Sequence, residues 1–132
     1  MNQMAKEFPE YAQVEPIGKS FEGRDINLLT ISAPNKADKP AIFMTGATHA
    51  RELITSSVNM YQAVKLLQQG VVNKDAETAK LLEDNKFYFV PTLNVDGVAL
   101  IEENWAKNKT ITPIRKNRDD TVEKTTQGLA QL

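Results

Sequence analysis

The chain has no cysteine and a single histidine in its 132 residues. The first absence removes disulfides, thiolate zinc sites and thiol nucleophiles together. It assigns no compartment, because many extracellular domains also lack disulfides. The second leaves one place, His49, for any chemistry that needs imidazole. Neither sign of charge dominates: sixteen basic residues face seventeen acidic ones for a net charge of −1. No general nucleic-acid partner and no acidic-membrane partner is therefore expected. Nowhere do about 18 apolar residues follow one another, so no membrane span is expected. The N-terminal stretch MNQMAKEFPEYAQ has no apolar run that could serve as a signal-peptide core. No internal repeat, low-complexity segment, Gly-x-Ser-x-Gly elbow or phosphate loop is present, which argues against an unrelated metal-free α/β hydrolase or binding domain.

What is there is ordinary globular composition, with 41% hydrophobic and 25% charged residues. The length suits one domain with one modest core. Residues 1 to 12 read as a short polar helix interrupted by Pro9. Two strands follow, roughly 13 to 18 and 25 to 32, joined by a turn at Phe21-Glu22-Gly23-Arg24. Residues 35 to 40 form a loop. AIFMTGA, 41 to 47, is a continuous apolar run that suits a strand buried on both faces. ELITSSVNMYQAVKLLQQG then carries Ile54, Val58, Tyr61, Val64 and Leu67 near helical spacing, with Gly70 as a stop. Residues 75 to 84 read as a second helix, FYFVPTLN at 87 to 94 as a buried strand halted by Pro91, and VDGVALIEENWA as a short helix or turn. From Lys107 onward the chain is polar. Asn108-Lys109-Thr110 is a formal glycosylation sequon of little weight. The order of elements predicts an α/β layered fold.

The lone histidine stands in TGATHARELIT, three positions before Glu52 and just after the apolar strand. In open α/β sheets, binding sites lie at the carboxyl ends of strands. Two side chains three apart in a helical turn share a face. A neutral imidazole and a carboxylate there can reach a common ion, and a catalytic zinc takes three protein ligands plus water. Taken alone, most pairs at this spacing are a solvated face or a simple hydrogen bond.

Four segments change the reading. IGKSFEGRDI at 17 to 26, GATHARE at 46 to 52, PTLNVDG at 91 to 97 and RKNR at 115 to 118 occur in this order. Together they resemble the patterns IG-S-EGR-I, G-HAREW/L, P-NPDG and RKNR or RKTR of the zinc carboxypeptidases of the funnelin, carboxypeptidase A-like family. The resemblance spans nearly the whole chain. It implies the N-terminal part of a mixed, mostly parallel sheet flanked by helices, an incomplete three-layer sandwich forming one partial domain over residues 1 to 132.

It further implies hydrolysis of C-terminal peptide bonds with zinc as cofactor. His49 and Glu52 would be two zinc ligands, and Arg118 would polarise the scissile carbonyl and stabilise the oxyanion. Arg51 and Arg115 match positions lining outer substrate subsites. Asp96 and Gly97 look like turn formers with a structural role only. Val95 departs from the family's proline, Val98 from an aromatic and Ile114 from a tryptophan. Gln127-Gly128 looks like the start of the strand that in the family carries the substrate-carboxylate clamp. The family's third ligand (a histidine), its specificity-pocket tyrosine and its general-base glutamate lie further on. Partners implied are peptide or protein C-termini if the site is completed, and a second chain supplying the rest of the domain. The alternative is a truncated, non-catalytic carboxypeptidase-like binding or structural subunit. Localisation is left open: the family is often secreted, yet no signal sequence is evident.

Overall fold

The structure is a computed structural model that describes residues 1–119. Helix α1 spans Asn2–Glu7, and strands β1 (Ala12–Lys19) and β2 (Asp25–Ile31) form a hairpin. Strand β3 (Ala41–Thr45) leads into helix α2 (Leu53–Leu67), which continues as a π-helical turn, Gln68–Val72. Helix α3 (Ala76–Asp84), strand β4 (Lys86–Val90) and helix α4 (Val95–Asn108) complete the described elements. Among the described residues, no helix is long and apolar enough to cross a membrane.

The four strands lie in the order β1-β2-β4-β3. The sheet is mixed, as the resemblance implied. In the described part, however, β1–β2 and β2–β4 are antiparallel and only β3–β4 is parallel. The hairpin register runs from Ala12 opposite Ile31 to Lys19 opposite Asp25, with a bulge between Pro16 and Gly18. Proline lacks a ladder N–H, so it is at home beside a bulge on an edge strand.

The core gathers Leu29, Ile31, Phe87 and Phe89 from the two inner strands, Ala63 and Leu67 from α2, and Leu82 from α3. FYFVPTLN meets its expectation: β4 is central, and Phe89 and Val90 are fully buried.

One expectation fails. Among the described residues, strand β3 is an edge strand, not one buried on both faces, and its Ile42 and Phe43 are 43% and 59% exposed. Helix α2 buries Asn59, Ala63 and Leu67, whereas Ile54, Val58, Tyr61 and Val64 are exposed. The two sets lie on opposite sides of the helix, which is thus apolar on both. A helix that is apolar all round belongs in an interior. The described residues cover only one side of it.

Gly70 does not end its helix, because the backbone runs on through the π-helical turn to Val72. A Cβ at Gly70 would stand 2.7 Å from Leu82 Cδ1 and 3.3 Å from the Thr78 backbone. The glycine permits close approach to α3 and is no stop signal.

A candidate metal and substrate site at the ends of β3 and β4

The carboxyl ends of the parallel pair β3 and β4 organise the site. Gly46 donates to Val90 O at 2.9 Å and accepts from Leu93 N at 2.9 Å, and Asn94 N donates to Ala47 O at 3.1 Å. The two departing strands are therefore laced together beyond their last ladder pair. A Cβ on Gly46 would fall 2.4 Å from Pro91 O, so only glycine allows the contact. The chain then reverses at Ala47, whose φ is +44°. Its amide donates to Thr55 Oγ1 at 2.7 Å, and the same hydroxyl donates to Glu52 O at 2.6 Å. One side chain fixes both ends of the 47–52 turn.

That turn carries the sequence-predicted pair. His49 Nδ1 and Glu52 Oε1 are 3.1 Å apart. Their side chains are 34% and 45% exposed, open to an incoming ion. They do not sit within a helix, since α2 begins at Leu53 with Glu52 as its N-cap. A turn preceding the helix brings them together instead. Two ligands of a tetrahedral zinc, each about 2.0–2.2 Å from it, stand roughly 3.4 Å apart. The donor set and its spacing therefore fit one small divalent cation. Among the described residues, no third His, Cys, Asp or Glu joins them.

The RKNR segment lies against the same turn. Ala50 N donates to Arg115 O at 3.4 Å and Arg51 N to Ile114 O at 2.7 Å. Asn94, which caps α4, reaches Arg115 O with its side-chain amide at 3.4 Å. Three motifs distant in sequence thus meet through backbone groups. This places Arg51 and Arg115 beside the His49 turn through their main chains. Arg118 is placed by a different partner: its Nε donates to Glu22 Oε1 at 2.8 Å.

Glu22 belongs to a network that sequence reading passed over. Asp96 is not a turn former but a buried residue in the first turn of α4. Its carboxylate accepts from Ser20 Oγ at 2.6 Å, Glu22 N at 2.9 Å and Arg24 Nη1 at 2.8 Å. Burial pushes its carboxyl up, but these three donors outweigh burial and hold it below the ordinary aspartate value. Arg24 also pairs with Glu22, and that contact together with Asp96 raises its guanidinium pKa. Glu22 is held low, first by Arg118 and then by Arg24. Gly97 is again structural. A Cβ there would meet Ala50 Cβ at 2.6 Å, so α4 can approach the His49 turn only with glycine. The signal for the network is the EGR of IGKSFEGRDI, which the sequence reading treats only as part of the hairpin turn and of a matched motif. The strand start expected at Gln127-Gly128 lies outside the described residues.

Comparisons with known proteins agree on one family. The sequence profile described as "Zinc carboxypeptidase" matches residues 1–128. Carboxypeptidase B of Astacus astacus is 36% identical over 115 residues, covering 85% of this chain and 36% of the crayfish protein. An inactive metallocarboxypeptidase of Sclerotinia sclerotiorum is 38% identical over 124 residues, covering 87% of this chain and 20% of that protein. Among solved structures, carboxypeptidase A from Helicoverpa armigera superposes with a TM-score of 0.68 at 32% identity, over 89% of this chain and 26% of that one. Thrombin-activatable fibrinolysis inhibitor superposes with a TM-score of 0.74 at 26% identity, over 89% of this chain and 27% of that one. The chain thus spans about a third or less of the length of these relatives.

Proposed function

This chain belongs to the zinc carboxypeptidase family, and on that premise we propose that it supplies the N-terminal, two-ligand portion of a metallocarboxypeptidase site that hydrolyses C-terminal peptide bonds. The observation that carries this reading is the His49–Glu52 pair, 3.1 Å apart where β3 gives way to α2. His49 would offer an imidazole nitrogen and Glu52 a carboxylate oxygen to zinc. Bound there, the ion would supply Lewis-acid polarisation of the scissile carbonyl and a water acidic enough to attack near neutral pH.

The remaining steps fall to side chains. Arg118 would hold the carbonyl oxygen as negative charge develops on it, an interaction strongest in the transition state. Arg51 and Arg115, carried by segments bonded to each other, would line outer substrate positions for peptide or protein C-termini. A third ligand and a proton-accepting carboxylate must come from outside the described residues. Groups that act as a unit lose most of their effect when one is missing. The apolar outer side of α2 and the edge of β3 that no described strand covers are where a complementary part of the domain, on this or a second chain, would seat.

A second reading is a non-catalytic carboxypeptidase-like subunit. The relatives favour it to a degree, since several bear the name inactive metallocarboxypeptidase. Zinc titration by calorimetry separates the cases. The chain alone should bind zinc weakly, and His49→Ala should abolish the signal. Tight binding should need the complementary part of a family member. If that complex takes up zinc but releases no C-terminal residue from peptides, the subunit reading stands and the enzyme reading falls.

A further inference from the structure

The hairpin turn between β1 and β2 reaches across the molecule to the RKNR segment, and nothing in the proposed chemistry uses it. Glu22, at the tip of that turn, accepts from Arg118 Nε at 2.8 Å across 96 positions of sequence. We propose that Glu22 is a positioning residue for Arg118, held in place by the buried carboxylate of Asp96. The proposal rests on the reading of Arg118 as the group that meets the substrate carbonyl.

A chain of contacts leads from Asp96 through the turn to Arg118. A carboxylate at the tip of a hairpin turn would ordinarily sample many positions, at a cost in rotamer entropy whenever it must hold one. Here the turn is tied down before Glu22 acts. Asp96 accepts from the Glu22 amide itself, from the Ser20 hydroxyl and from Arg24. Ser20 Oγ in turn accepts from Arg24 N at 2.9 Å. Arg24 also bonds the Glu22 carboxylate, so one guanidinium bridges the anchor and the working group. The Glu22 backbone and side chain are thus both fixed from within the turn.

Asp96 lies in the first turn of α4, where the helix N-terminus favours a carboxylate. The neighbouring Asn94 N-cap bonds the RKNR backbone. The start of α4 therefore registers the hairpin turn and the arginine segment against a common element. The contact to Arg118 engages Nε, which sets the plane of the guanidinium without involving the Nη atoms in that bond. An arginine that acts only in the transition state needs such pre-orientation, because a misaligned donor contributes little to oxyanion stabilisation.

The test begins on the 132-residue chain itself and needs no activity. Solvent exchange of the Arg118 Nε–Hε proton, followed by NMR, should quicken about two- to fivefold in Glu22→Gln, the range for a partly exposed charged pair. Glu22→Asp should fall between the two, and Arg115, which makes no side-chain bond to Glu22 among the described contacts, should not change. Unaltered Arg118 exchange in Glu22→Gln overturns the proposal, as does an equal rise at Arg115, which would signal general loosening. In the completed enzyme, Glu22→Gln should lower kcat with KM held, and Glu22→Asp should restore part of it. A loss confined to KM also overturns it. If the completed protein cleaves nothing, the enzyme reading fails and the exchange result still decides the role of Glu22.

Discussion

Thr55 Oγ1 lies 2.7 Å from the amide of Ala47, so the first turn of α2 is bound to the residue that leaves β3 in a left-handed conformation. The same hydroxyl donates to Glu52 O, so one side chain holds both ends of the His49–Glu52 turn. A positive φ at a residue with a Cβ costs on the order of 1–2 kcal/mol and persists only when neighbours enforce it.

Thr55→Val should therefore strand the Ala47 amide and lower stability by about 1–2 kcal/mol in urea unfolding. Thr55→Ser keeps the hydroxyl and should stay within about 0.5 kcal/mol of the parent. A loss in Thr55→Ser with none in Thr55→Val would show that the methyl group, not the hydrogen bond, matters.

Gly46→Ala should cost about 3 kcal/mol, the upper end for overpacking, because the new methyl meets backbone oxygens of Pro91 and Thr55 that cannot step aside. Gly18→Ala, with open space around it, should change stability by no more than about 0.5 kcal/mol. Thermal unfolding of the two variants side by side makes the comparison.

Stability should fall in acid, and the sign follows from the direction of the shifts. Asp96, Glu22, Asp75 and Asp84 are all held below their ordinary values in the folded chain. The unfolded chain therefore binds protons first as pH drops. The stabilisation is complete above about pH 4, the ordinary carboxylate value, and is lost as pH falls through the lower folded values. Asp96→Asn should be less stable at neutral pH by about 1–3 kcal/mol and should show a flatter acid limb. Denaturant titrations from neutral pH downward would reveal both, and an unchanged acid limb would remove Asp96 from the account.

The exposed side of α2 offers a converse prediction. Ile54→Glu should leave the stability of the isolated chain within about 0.5 kcal/mol, because the residue is 71% exposed. It should block capture of a complementary carboxypeptidase segment in a binding assay. Unfolding of the isolated chain by this change would mean that Ile54 packs in the core after all.

Much of this was legible in linear form. The β1–β2 hairpin, the central strand β4 and the His49–Glu52 pairing all follow from local signals: alternation, a run of large apolar residues, and a three-residue spacing in a turn. The helix of α2 is legible from its spacing, but neither its covered side nor the exposure of β3 is, because apolar pattern reports what a segment would prefer to bury. It does not report whether the covering layer is at hand. Asp96 was misjudged for a related reason. A lone aspartate before glycine reads as a turn, and its three donors come from 72 to 76 positions away.

By itself, then, the sequence determined the family, through four short motifs, and also the local elements and the pairing of His49 with Glu52, since each of these signals is encoded within a few neighbouring residues. Tertiary structure alone decided which side of α2 is covered and that, among the described residues, β3 is an edge. It also decided that a hairpin carboxylate holds the guanidinium of Arg118. Those outcomes depend on packing and on hydrogen bonds between segments remote in sequence, whose partners no local pattern specifies.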